Sequence, residues 1–294
     1  MASLRQLRGR IKSIQNSKQI MRAMQLVSGS KLKRSQDKLM QARVVLEFLD
    51  GLVQRVFAST EGLTHPLATV REDGESALVI LTSDTGLCGS YNTNLIQLAE
   101  AHLRRDSHRK TQLIFIGKRA HRYFTKRGYP AAEAYLDLAG RPNPAKATAI
   151  GRALIERFVS GHVNAVDILY SRFLSATVYK PTIQRFLPVA LELQNRPAGQ
   201  PAQRANWPTT DYIFEPSAER VFEDLLPRWA LAKFQLILLE GFTSEHSARM
   251  IAMKNATDNA EELLQSLTMQ RNRVRQAAIT KELSEIVGTV EALK

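Results

Sequence analysis

From Leu4 onward a seam residue returns in alternating steps of three and four: Leu4, Leu7, Ile11, Ile14, Lys18, Met21, Gln25, Ser28, Leu32, Ser35, Leu39, Ala42, Leu46, Leu49, Val53 and Val56. A 3.5-residue repeat carried through roughly eight heptads is the seam of a coiled coil. No proline falls between Ser3 and Phe57, so one unbroken helix is predicted there. At about 1.5 Å per residue it is a rod of roughly 80 Å. No compact domain of this size contains such a rod, so it must project and take a partner helix. The two ends of the seam are apolar, whereas its middle carries Lys18, Gln25, Ser28 and Ser35, with Gly29 beside it. Glycine inside a helix costs about 1 kcal/mol against alanine. That middle is either loosely packed or a place where the partner changes or slides.

The partner is at the other end of the chain. From Ser217 the pattern is helical to the last residue, with Glu219, Glu223 and Asp224 in the opening turns, where the helix dipole favours acids. Pro227 is expected to kink it. This second rod runs about 75 residues, roughly 110 Å. If the inner ends of both rods meet, they pair antiparallel and the first runs out opposite about residue 272. The remainder still carries an apolar stripe of Ile279, Leu283, Ile286, Val287, Val290 and Leu293. Such a stripe on a lone helix needs a sleeve from another protein. A tail folded back on its own domain is the alternative, and the unbroken helix argues against it.

Between the rods, Ala77–Leu81 reads as a strand buried on both faces. It leads through Ser83-Asp-Thr-Gly-Leu-Cys-Gly89 to a helix with Asn92 as its expected cap. Strands over 112–117, 132–138, 166–173 and 178–189 alternate with helices over 118–127 and 145–160. Asp73-Gly74 marks a turn. Pro142 and Pro144 precede the second of these helices, and Pro181 predicts an edge position for the last strand. Alternating strands and helices predict an α/β layer. Residues 194–211, rich in Pro, Gln, Asn and Ala, read as a linker. The expected fold is therefore α+β overall: a long antiparallel two-helix coiled coil from the terminal segments (1–58 and 217–294) around a central α/β layer domain (75–193).

The net charge is +13. Arg5, Arg8, Arg10, Lys12, Lys18, Arg22, Lys31, Lys33 and Arg34 fall within residues 1–36 with no acid among them, which predicts an acidic partner. No run of about 18 apolar residues exists to span a membrane. The basic start could pass for a transit peptide, but the heptads run through it, so it reads as mature protein. Cys88 is the only cysteine, which excludes an internal disulfide.

Catalytic patterns are missing. The tempting place is Gly86-Leu-Cys-Gly89 between a strand and a helix, where a phosphate loop would sit. Neither a dinucleotide fingerprint nor a P-loop occurs, so a tight turn is the better reading. Cys88 reads as a half-buried structural thiol. The six histidines show no metal spacing, and Glu245-His246 reads as surface. No metal or cofactor is expected.

Three blocks resemble the gamma subunit of F-type ATP synthase. They are Leu4–Ile20 continuing through Ala23–Leu32, then Ser83–Gly89, and then Ser244–Ala260 with Arg275–Glu282. Asp211–Ser217 is similar to that family's approach to its last helix. Between about 100 and 205 only the layout agrees. The resemblance implies a Rossmann-like, nucleotide-free α/β foot and a non-catalytic rotor. Its shaft would turn inside a ring of three alpha and three beta subunits, coupling ion flow to ATP synthesis or hydrolysis. The foot would rest on the c-subunit ring beside epsilon, at the cytoplasmic face of a bacterial inner membrane, with only indirect membrane contact. Carried over by position, Arg8, Met24, Arg249, Arg275, Gln276, Thr280, Glu282, Ile286 and Val290 would meet the alpha–beta ring. Lys31, Lys33, Asp84, Gly86, Cys88 and Gly89 would serve the foot contacts with the c ring and epsilon. Thr85 stands where the family usually has arginine, and Ser90-Tyr91, Gly29, Arg271 and the ending from Gly288 also depart from its pattern. Two rival readings remain at this stage. One is a basic coiled coil that binds nucleic acid; the other is an α/β enzyme with helical arms.

Overall fold

The structure is a computed structural model that describes residues 4–59, 63–71, 74–105, 110–138, 140, 143–189 and 214–292. The linker over 194–211, Asp73, Pro142, residues 211–213, the side chain of Val290 and Leu293 lie outside the described residues. In chain order the elements are α1 (Leu4–Ser59), a 3-10 turn (Pro66–Ala68), β1 (Ser76–Leu81), α2 (Tyr91–Arg105), β2 (Thr111–Ile116), α3 (Lys118–Thr125), β3 (Ala131–Tyr135), α4 (Pro144–Val159), β4 (Ala165–Phe173), β5 (Tyr179–Leu187) and α5 (Ala218–Ala292). They form two compact units. One holds Lys31–Gly86 and Ser90–Ser247; the other holds Met1–Ser30, Leu87–Gly89 and Ala248–Lys294.

The first unit contains the sheet, in the order β3-β2-β1-β4-β5. The first four strands are parallel and β5 is antiparallel to β4. Pro181, opposite Ser171, lies on that edge strand, as expected of a residue with no N–H to give the ladder. Asn143 caps α4 by accepting from Ala145 and Lys146 N–H, and Pro144 takes the first helical position, where its missing donor costs nothing. Asn92 is not a cap. It lies inside α2, where its amide instead accepts from Ser83 N–H and donates to Ser83 Oγ, tying the helix to the end of β1.

The core of this unit draws Val53 and Val56 of α1, and Phe222, Leu226, Phe234 and Phe242 of α5, into one cluster with Val79, Ile114, Leu154 and Ile168. Here the long helices are a layer over the sheet as well as partners of each other. Pro227 is accommodated inside α5. At Gly241 the helix and β1 approach so closely that an added Cβ would stand 2.3 Å from Leu81 Cδ2. Gly117 has φ +97°, and a Cβ there would strike the Thr82 carbonyl; only glycine turns this corner into α3.

Within each unit α1 and α5 run antiparallel. In the first, Phe57 meets Phe222, Asp50 accepts from Trp229 Nε1, and Ser35 Oγ lies 2.7 Å from Thr243 Oγ1. In the second, the Cβ position of Gly29 is 3.5 Å from Met250 Sδ, and Lys18 Nζ is 3.1 Å from Glu261. Leu7 and Ser28 are buried in the seam. Partial burial on α5 persists to Ala278, a little beyond the expected 272. Side chains tilt toward their own helix N-terminus, so the first residues of α1 cover α5 beyond the level of their own Cα atoms. From Ile279 onward the described side chains of α5 are exposed.

Candidate functional site

At the carboxyl end of the sheet, where an α/β fold would place a nucleotide, the chain's own oxygens hold the donors. Asp84 Oδ1 accepts from Lys118 N–H at 3.1 Å and from Asp137 N–H at 3.3 Å. The Ser83 carbonyl accepts from Arg119 N–H, and Thr82 Oγ1 from Ala120 N–H. The first turn of α3 thus presents its N–H groups to the end of β1, and the Asp84 carboxylate stands where a phosphate would. Gly86 faces Arg119, whose Nη2 lies 2.4 Å from the Cβ position. Leu87 and Gly89 both have positive φ, the mark of the tight turn. Cys88 is fully buried rather than half-buried. Of the other expected foot residues, Lys33 is exposed and Lys31 partly covered. Among the described residues no cluster of His, Cys, Asp and Glu could hold a metal ion.

The densest polar constellation lies on α5, and the sequence reading missed it. Every residue from Ile237 to Arg249 is buried. Glu245 and His246 are each 3 % exposed, which corrects their expected place on the surface. A helix lined on one side by α1 and on the others by the sheet unit has no surface left there. His246 Nε2 meets the Gly140 carbonyl at 3.0 Å, Ser244 Oγ donates to the Ser171 carbonyl, and Ser247 Oγ to the Ala176 carbonyl. Glu240 accepts from Arg43 Nη2 at 2.7 Å, and the same nitrogen donates to the Phe173 carbonyl at 3.1 Å. Burial, joined by the Glu240 charge, pushes the nearby Tyr170 phenol well above its ordinary range, so it stays protonated and donates to Gln184. The signal for this site was Glu240 itself, a carboxylate between Ile237-Leu-Leu239 and Gly241-Phe242.

In the second unit Arg8 is exposed and Met24 half-buried on α1. Arg249 is 8 % exposed, so the chain itself covers most of it. Arg275, Gln276, Thr280, Glu282 and Ile286 are all exposed on α5. Thr280 turns its hydroxyl back to the Gln276 carbonyl. Ile279, Leu283, Ile286 and Val287 are between 49 % and 61 % exposed, an apolar stripe at i, i+4, i+7 and i+8 beside that polar group.

A family model described as ATP synthase matches residues 3–293. ATP synthase gamma chains of Pelotomaculum thermopropionicum and Moorella thermoacetica are 39 % and 38 % identical over 294 residues, covering the whole of each chain. This chain belongs to the ATP synthase gamma family. Solved structures agree in fold. A chain of the Euglena gracilis mitochondrial ATP synthase superposes with TM-score 0.66 at 19 % identity, over 99 % of this chain and 94 % of that one. A chain of the Tetrahymena thermophila central stalk and c-ring structure gives 0.60 at 24 %, over 81 % and 99 %. Membership in the gamma family takes the place of the nucleic-acid reading. Among the departures from the gamma pattern, Tyr91 has a packing reason: it is buried and its hydroxyl donates to the Gly241 carbonyl at 3.0 Å. Arg271 reaches the side-chain oxygen of Asn272.

Proposed function

We propose that this gamma chain is the non-catalytic central shaft of its ATP synthase, passing rotation between a membrane c ring and the nucleotide sites of three beta subunits. The observation that supports this most directly is the bare apolar stripe of Ile279, Leu283, Ile286 and Val287. A helix that ends in such a stripe fits a hydrophobic sleeve, and the alpha–beta ring of the enzyme is such a sleeve. Arg275, Gln276, Thr280 and Glu282 then face loops that move as the beta subunits change state, with Arg8 on the facing stretch of α1; Met24 lies farther down the rod, level with the part of α5 between Met250 and Glu261. Differential contacts of one asymmetric shaft with three conformations bias which beta site binds, reacts or releases. Asp84, Gly86, Cys88, Gly89, Lys31 and Lys33 serve the end that meets epsilon and the c ring. In this reading the foot meets the membrane through its partners, at the cytoplasmic face; no helix among the described residues is long and apolar enough to cross a membrane.

The test is assembly. Co-expressed with the alpha and beta chains of its own enzyme, the protein should purify as one complex whose ATP hydrolysis drives ion pumping after reconstitution with the membrane sector. Leu283→Asp with Ile286→Asp should weaken that complex at least tenfold. Failure of the unaltered chain to join the alpha–beta hexamer would overturn the reading.

A further inference from the structure

Resting on the shaft reading, the residues that hold α5 inside the sheet unit carry a further conclusion. A helix paired in a two-stranded rod buries one stripe. From Ile237 to Ser247, α5 is buried all round. Apolar contact is non-directional, so a greasy sleeve resists turning only through shape, as where Gly241 packs against Leu81. Hydrogen bonds fix direction as well as distance, and here they reach the helix from separate elements. Arg43 of α1 joins Glu240 to the Phe173 carbonyl at the end of β4. Ser35, also of α1, meets Thr243. Ser244 reaches into β4 at the Ser171 carbonyl, and Ser247 reaches the Ala176 carbonyl in the turn between β4 and β5. Glu240 and Ser247 lie seven residues apart on one face, and Ser244 lies between them at i+4; Thr243 adds an anchor at i+3.

We propose that the Arg43–Glu240 pair and the hydroxyls of Thr243, Ser244 and Ser247 form a clutch that locks α5 against rotation within the sheet unit, so that torque passes between them without slip. These are positioning residues. They touch no nucleotide, and their effect is read in how much ion transport each hydrolysed ATP drives.

The experiment uses the assembled enzyme in membranes, with ATP-driven ion pumping and ATP hydrolysis measured per assembled complex. Arg43→Met/Glu240→Met removes both charges together, so that no unpaired carboxylate is left at the buried Glu240 position. Ser244→Ala/Ser247→Ala removes two anchors and leaves the charge pair. The pumping-to-hydrolysis ratio should fall at least twofold in each against an opposing ion gradient, with Arg43→Lys in between because it keeps the charge but not the fixed position of the guanidinium nitrogen that serves both acceptors. A merely structural role would lower the amount of complex and leave the ratio per complex unchanged. Wild-type ratios in both double variants would overturn the clutch. If the charge-pair variant does not assemble, the hydroxyl variant decides alone. An unaltered chain that never couples hydrolysis to pumping would sink the shaft reading instead, a separate result.

Discussion

At Gly29 the space beside α1 is ordinary: an added methyl would touch Met250 Sδ at van der Waals distance. The sequence left two readings for this polar middle of the seam, loose packing or a sliding partner. The helix continues through it with Ser28 buried, so the glycine costs helix propensity and no steric need keeps it. Gly29→Ala should therefore stabilise the chain by about 0.5–1 kcal/mol, read as a higher urea midpoint; a lower midpoint would show that the seam needs the gap. His65 carries a pH effect of known sign. Burial lowers its pKa, opposed by interactions with Glu223, and its neutral Nδ1 accepts from Leu67 N–H at 3.0 Å. With the folded value depressed, the unfolded chain binds the proton first. This contribution is complete above the unfolded value of about 6.5 and is lost as pH falls below it. His65→Asn keeps an acceptor for Leu67 and should flatten the part of the stability profile between pH 7.5 and 5.5 that His65 causes; an unchanged profile would remove His65 from it. Single residues were also where the sequence was least legible. Glu245 and His246 read as surface because their neighbours Thr243, Ser244 and Ser247 are polar, and only the apolar run around Glu240 hints that the helix is covered on every side.

At the scale of elements the periodicities were sufficient. Continuous apolar runs gave the strands buried on both faces, and Pro181 gave the edge. The 3.5-residue repeat gave α1 to within a turn. The seam could not show that the inner ends of α1 and α5 also serve as a layer over the sheet, because burial against a sheet and burial against a helix leave the same apolar positions. The loop between β1 and α2 was legible as a turn by its glycines. That Asp84 caps α3 from the end of the neighbouring strand was not, since the contact joins residues 34 apart. Asp84→Ala should leave two N–H groups without their acceptor and cost about 1 kcal/mol, measured by denaturant titration. Asp84→Asn should cost less, and equal losses would mean that the charge rather than the acceptor matters. On α5, charged hydrogen bonds from Arg275 to a partner, as proposed above, would be worth about 1.5–3 kcal/mol each, enough to favour one beta conformation. Arg275→Ala, Gln276→Ala and Met24→Lys should each allow assembly but lower ATP synthesis severalfold in membranes matched for enzyme content. Wild-type synthesis in all three would take this group out of the mechanism.

For the whole molecule, charge and apolar surface are divided in a way that a self-sufficient protein would not tolerate. The net charge of +13 keeps copies apart over about a Debye length, near 8 Å at physiological salt, and no farther. The apolar residues from Ile279 to Val287 are more than two-fifths exposed, and their hydrophobic attraction is not screened by salt. Repulsion should therefore win at low ionic strength and association at high. The purified chain alone should be soluble in dilute buffer and self-associate as salt is raised, the reverse of what nucleic-acid binding or a charge-driven dimer would show. Trypsin should cut first near Lys281, on the uncovered helix, and the alpha–beta hexamer should abolish that cut. Leu283→Glu/Ile286→Glu should keep the chain monodisperse at high salt while lowering its affinity for the hexamer, because the same surface serves both. Light scattering across a salt series, with proteolysis followed by mass spectrometry, checks this. A wild-type chain that stays monomeric at every salt concentration, with residues 279–294 protected, would mean that the stripe already has a cover within its own chain.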